Sequence, residues 1–244
     1  MSAGGPPDGC LGADAYGTVG PMNVVPAFGT RQRSLAYARV RDERVVWLLT
    51  MHPVTAAMLV GIGWFPTRAK ARKRLRRLAA KGRVRFVGTV CRKLGRPEHV
   101  FCRWRPKGDD LIHEVELTEL CFRLDAARIL RGPHATDDQI RPDAEAWING
   151  QLYDLELDRG TMGYAQMERR FRLYEGFEHF VLWVCPTPER RDGLRARAER
   201  LRHCALFTTF AEALADPHAP IWVDVRGERA ALPREGEGAG KSAD

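Results

Sequence analysis

The chain has 244 residues, 44% of them apolar, with a net charge of +8 and a pI near 9.5. That size and apolar content suit two small cored domains and exclude a wholly disordered chain, while the positive balance points to an anionic partner, nucleic acid ahead of membrane. No run of 18 apolar residues occurs, and the opening MSAGGPPDGC lacks the basic and apolar regions of a secretory signal, so neither a membrane span nor export is expected.

Residues 1–35 are rich in Gly, Pro and Ala without periodicity and read as a disordered arm. Arg31, Arg33, Arg39 and Arg41 make its end basic, which suits contacts to a DNA backbone. Residues 36–106 read as a DNA-binding domain. A first helix is expected over Arg41–Met51, broken by His52-Pro53, and a second over Val54–Ile62, ended by Gly61, Gly63 and Pro66. Thr67 then caps a third helix, Arg68–Lys81, which Gly82 terminates; Ala71, Leu75, Leu78 and Ala79 face the core at helical spacing. Two β-rich runs follow, Val84–Cys91 and His99–Trp104, joined by a turn around Leu94-Gly95-Arg96-Pro97. Three helices with a short turn before the third, then a hairpin, describe a winged helix-turn-helix whose third helix enters the major groove.

Charge is divided along the chain. Pro66–Pro97 holds 13 Lys/Arg and no acid, whereas Asp109–Asp158 holds 13 acids against 4 arginines. Ten cations from Arg68 to Arg85 would repel one another without an anionic partner. The expected DNA contacts are Arg68, Lys70, Arg72, Lys73, Arg76, Arg77 and Lys81 on the third helix, with Arg92 and Lys93 on the wing.

After the linker Arg105–Asp110, residues 107–230 read as a second domain. A long amphipathic helix is expected over Leu111–Leu130, with Ile112, Val115, Phe122, Ala126 and Ile129 on one stripe and Glu119 in its middle. A carboxylate there is costly unless paired or ligated, or unless it snorkels out from the stripe edge. His113 lies on a neighbouring face and reads first as a satisfied structural histidine.

Next comes IRPDAEAWINGQLYDLELDRGT, Ile140–Thr161. Asn149-Gly150 between alternating runs specifies a two-residue hairpin turn. The implied register sets Ile148 opposite Gln151, Trp147 opposite Leu152, Glu145 opposite Asp154, Asp143 opposite Glu156 and Arg141 opposite Asp158. Ala144, Ala146, Tyr153, Leu155 and Leu157 form the core face. Facing carboxylates are destabilising, so the acidic face needs a positive group: a metal ion, an arginine or lysine from elsewhere, or solvent and salt. Thr161 is the expected cap of a helix to Tyr174 with Tyr164, Met167, Phe171 and Tyr174 inward. Phe180–Cys185 is a strand buried on both faces, Pro188–His203 a basic helix, and Ala205–Phe207 and Ile221–Val225 are further strands. Residues 231–244 read as a disordered tail. The six cysteines (Cys10, Cys91, Cys102, Cys121, Cys185, Cys204) have no zinc spacing, so a reduced, cytosolic chain is expected.

The winged helix, a helix led by H-x5-E (His113, Glu119), R-P-D-A (Arg141–Ala144) and E-x-D-R-G-T (Glu156–Thr161) together resemble the replication-relaxation family of plasmid and mobile-element proteins, over about Arg41 to Val225. The resemblance implies an α+β chain whose second domain is restriction-endonuclease-like (PD-(D/E)xK, αβββαβ), similar to MobC-type plasmid relaxases. It implies Mg²⁺ or Mn²⁺ held by Asp143, Glu156 and Glu119, with Asp158 and Arg159 beside them in the catalytic group. The pattern's usual lysine is replaced here by Asp158. The implied function is metal-dependent nicking and relaxation of double-stranded DNA at an origin during plasmid mobilisation, in the bacterial cytoplasm, with replication or conjugation proteins as further partners. The alternatives are a non-catalytic initiator, or a transcription regulator, with a degenerate nuclease-like domain. A covalent nucleophile would have to come from Tyr153, Tyr164 or Tyr174, which read more simply as core aromatics.

Overall fold

A computed structural model describes residues 30–91, 96–106, 111–124, 126, 128–131, 140–234 and 236. Most of the expected arm and tail, the wing residues Arg92 and Lys93, and Leu94-Gly95 lie outside the described residues.

The first helix is longer than its apolar stripe. Helix α1 runs Thr30–Met51 rather than starting at Arg41. Its second half buries Val45, Val46, Leu48 and Leu49. The preceding turns carry strong helix formers with little apolar periodicity, so hydrophobic spacing alone could not locate the start. Strand β1 (Val54–Thr55) takes the first two residues of the expected second helix, leaving α2 as Ala56–Gly61 with Thr55 as its N-cap. Helix α3 (Arg68–Ala80) follows expectation. The Thr67 hydroxyl accepts from the Lys70 N–H at 3.3 Å, Ala71, Leu75 and Leu78 are buried, and Gly82 follows its end at φ 67°.

Strands β2 (Arg85–Val90) and β3 (Glu98–Cys102) pair antiparallel, and β1 adds to β3, giving the order β1-β3-β2. The β2–β3 register shifts between Phe86 and Gly88. A Cβ on Gly88 would lie 2.6 Å from the end of the Leu111 side chain, which would have to shift to admit it. Leu49, Leu59, Leu75 and Phe101 belong to one core joining these elements.

The helix expected over 111–130 is two elements, α4 (Leu111–Arg123) and strand β4 (Arg128–Arg131). The R-I-L-R run sits at the edge of a sheet against β5 (Ala144–Ile148), and a run that short cannot be assigned by periodicity. Strands β5 and β6 (Gln151–Leu157) form the expected hairpin. Asn149 and Gly150 adopt φ 50° and 79°, as a type I′ turn requires. Glu145 faces Asp154 as expected, but the ladder ends at Ala144–Leu155, so Asp143/Glu156 and Arg141/Asp158 are not ladder pairs.

The chain continues through α5 (Tyr164–Leu173), β7 (Phe180–Cys185), α6 (Pro188–Arg195), a 3-10 turn at Glu199–Leu201, β8 (Ala205–Thr209), α7 (Phe210–Ala215), β9 (Trp222–Asp224) and β10 (Arg229–Ala230). Helix α5 is capped by Gly163 rather than Thr161, and α6 stops well short of His203. Helix α7, β4 and β10 are additions to the expected order. Among the described residues the second sheet has the order β10-β9-β8-β7-β6-β5-β4. Strands β6, β7 and β8 run parallel and the other neighbours antiparallel. The fold is mixed α+β.

Both faces of this sheet are covered. Leu117 and Leu120 of α4 and Ala213 of α7 join the core that includes Ala144, Ala146, Tyr153 and Leu155. Met167 and Phe171 of α5 and Leu194 of α6 join the opposite core with Val181, Trp183 and Phe207. Helix α4 also belongs to the first unit: Val115 lies in its core, with Leu111, Ile112 and Phe122 packed against it.

Candidate functional site

Two charged regions stand out, and sequence reasoning located both. On α3, Arg68, Lys70, Arg72, Lys73, Arg76, Arg77 and Lys81 are all exposed. Arg68 reaches Glu98 of β3 at 3.4 Å. Arg74 turns inward to Asp42 of α1, its Nε donating to Oδ1 at 2.5 Å, and so ties α3 to α1. Among the described residues, no ion pair engages Lys70, Arg72, Lys73, Arg76, Arg77 or Lys81. The first turn of α3 carries no acid, so Arg68 and Lys70 sit at the end of the helix dipole that repels cations. Such a helix is relieved by an anion lying along it.

The second region is a cleft of about 380 Å³ lined by residues that include His113, Arg141, Asp143, Glu156, Asp158, Arg159 and Arg170. Three hairpin acids on it or below it, Asp154, Glu156 and Asp158, alternate along β6 and its end, and all are buried. Each meets a basic side chain from outside the hairpin. His179 lies 3.2 Å from Asp154. The Arg170 guanidinium grips Glu156, Nε donating to Oε2 at 2.9 Å and Nη2 to Oε1 at 2.5 Å, and Nη2 also donates to the Arg141 carbonyl at 2.9 Å. The Tyr174 hydroxyl adds a hydrogen bond to Glu156 Oε1. Arg190 donates from Nε to Asp158 Oδ2 at 2.6 Å. For Glu156 and Asp158 the positive charge that the acidic face required is supplied by arginines of α5 and α6.

Asp143, just before β5, accepts from His113 Nε2 at 3.1 Å and from the Leu157 N–H at 2.8 Å. Burial raises its pKa, but these hydrogen bonds and the His113 charge outweigh it, and the carboxyl lies below the usual range. His113 is held above its ordinary value: desolvation opposes its charge, and Asp143 more than compensates. Glu156 is pushed up to about 8, by burial first and by the Asp143 charge second, against the pull of Arg170 and Tyr174.

Asp158 stabilises a loop. Its Oδ1 accepts from the Gly160 N–H at 2.9 Å, with Gly160 at φ 74°, and Arg190 links the loop to α6. Arg159 points to Glu116 of α4, Nε to Oε2 at 3.0 Å. Glu119 is not among the cleft-lining residues. It shares the α4 stripe of Ile112, Val115 and Phe122, which packs on the first core, whereas His113 and Glu116 lead to the cleft. Tyr153 and Tyr174 are buried, as expected of core aromatics; Tyr164 is exposed, with the Arg190 and Arg197 guanidinium carbons 4.6 and 3.9 Å from its ring centre.

Sequence reasoning missed Arg170 and Arg190. Arg170 lies three residues after Met167 and four before Tyr174, both buried, so helical spacing places it on the inward side of α5. That spacing was the available signal.

Most of the carboxylate oxygens a divalent ion would need are already engaged. Magnesium needs carboxylate oxygens open to it beside its waters. Both Glu156 oxygens are engaged by Arg170, one also by Tyr174, and Asp143 Oδ2 already accepts twice. Among the described residues, no cluster of three or more His, Cys, Asp or Glu is arranged to hold a metal. No helix among them is long and apolar enough to cross a membrane. Comparison with family models, curated proteins and solved structures finds no match for this chain.

Proposed function

We propose that this protein binds double-stranded DNA through a winged helix-turn-helix formed by α1–α3 and the β1-β3-β2 sheet, and that its second domain is a restriction-endonuclease-like scaffold that does not cut. The observation carrying DNA binding is the exposed face of α3, where six cations have no acid partner among the described residues. A duplex offers the matching line of phosphates, and a helix following a short turn is the element that enters the major groove. The observed αβββαβ order of α4, β4, β5, β6, α5 and β7 supports the nuclease-like reading of the second domain. The engagement of Asp143 and Glu156 by His113, Arg170 and Tyr174 favours the non-catalytic initiator or regulator over the nickase.

Binding is tested by fluorescence anisotropy with random and origin-derived duplexes. The triple reversal Arg72→Glu, Lys73→Glu, Arg76→Glu should weaken binding at least a hundredfold, and unchanged affinity refutes the assignment. Supercoiled plasmid incubated with Mg²⁺ or Mn²⁺ should stay supercoiled. Open-circle product that disappears in Asp143→Asn would establish the nickase instead.

A further inference from the structure

The cleft is lined by two acidic side chains, Asp143 and Glu156, and acids set side by side call for a cation between α5 and the hairpin. We propose that Arg170 is that cation: its guanidinium, held by Glu156 and the Arg141 carbonyl, fills the place where the resembled nuclease fold would take Mg²⁺, and thereby excludes divalent ions.

The geometry supports occupation by the guanidinium. Arg170 makes two parallel N–H···O bonds to Glu156, the fork-to-carboxylate arrangement that fixes an arginine most firmly. Its third bond, to the Arg141 carbonyl, joins it to the chain segment leading into Asp143. The Glu156 side chain is only 5% exposed and Arg170 27%, so the pair closes the inner end of the cleft. A divalent ion would have to displace the hydrogen-bonded guanidinium and break these bonds before gaining a Glu156 oxygen. His113 occupies the other flank by donating to Asp143. The inference rests on the nuclease-like reading for the place compared and for the choice of ion to test.

Terbium luminescence sensitised by Trp183, which lines the cleft, provides a readout independent of activity. The full chain is titrated with Tb³⁺, then with Mn²⁺ as competitor. Wild type should show no sensitised emission that depends on Asp143. Arg170→Gln should acquire it, with at least tenfold tighter Mn²⁺ competition, and Arg170→Gln combined with Glu156→Gln should lose it. Wild-type emission abolished by Asp143→Asn overturns the proposal, as does a folded Arg170→Gln protein without emission. The wild-type measurement stands whether or not the variant folds. DNA anisotropy, read in parallel, separates failure of this inference from failure of the DNA-binding assignment.

Discussion

Arg190 and Asp158 show what single charged side chains contribute here. Their side chains are 12% and 1% exposed, and the pair holds the loop after β6 against α6. Removing one partner of a buried pair leaves an uncompensated charge, at a cost of about 3–5 kcal/mol. Arg190→Ala should therefore lower stability by about that amount in urea unfolding, and adding Asp158→Asn should recover part of it. Titration adds a second residue-scale prediction. Buried His52 has its pKa lowered from 6.5 to about 3 by desolvation first and Arg131 second. Its contribution to stability is present above pH 6.5 and is lost as pH falls toward 3. Glu156 behaves oppositely: raised from 4.5 to about 8, it contributes fully below pH 4.5 and loses that contribution as pH rises to 8. Each changes stability by about 1.4 kcal/mol per pH unit within its window, so they offset between pH 4.5 and 6.5. Between 6.5 and 8 the Glu156 loss is unopposed by His52, and His113, raised by Asp143, adds to it. The melting temperature should fall from pH 6.5 to pH 8, and Glu156→Gln should reduce that slope in thermal melts.

Elements differ in how much of their stability is local. Helix α7 is only six residues long but carries a full capping box: the Thr209 hydroxyl accepts from the Glu212 N–H, and the Glu212 carboxylate accepts from the Thr209 N–H. Thr209→Ala should destabilise by about 1 kcal/mol, measured by chemical unfolding. Helix α3 has an N-cap but opposes its own dipole and repels itself along its exposed face. If its six unpaired cations contact phosphates, log affinity should fall against log salt with a slope of about −5. A slope near −1 in anisotropy titrations would show that the helix does not lie along the DNA backbone.

At the scale of the whole molecule, α4 joins two cores. One side carries Val115, Ile112 and Phe122 to the first unit, and Leu117, Leu120 and Leu124 enter the core of the large sheet. A fragment ending at Pro106 would lose the cover given by Leu111, Ile112 and Val115. It should melt at a lower temperature than a fragment ending at Leu124, with circular dichroism as the measure. The same sharing predicts that Leu117→Ala, which removes a fully buried side chain, costs about 2–5 kcal/mol.

What the sequence determined by itself is what neighbouring residues decide. Asn149-Gly150 fixed the turn and hence the ladder from Ile148/Gln151 to Glu145/Asp154, because a two-residue turn leaves one register. Thr67, Gly82 and the Ala71-Leu75-Leu78 spacing fixed α3 and its exposed cations. The long start of α1 and the strand character of Arg128–Arg131 were not legible, since one depends on propensity without an apolar stripe and the other on an edge position in a distant sheet. The alternating acids announced that a positive charge was needed, but only the tertiary structure decided which. Arg170 and Arg190 reach β6 and the loop after it from helices that follow in sequence, and a contact of that kind is set by how α5 and α6 cross the sheet rather than by any local pattern.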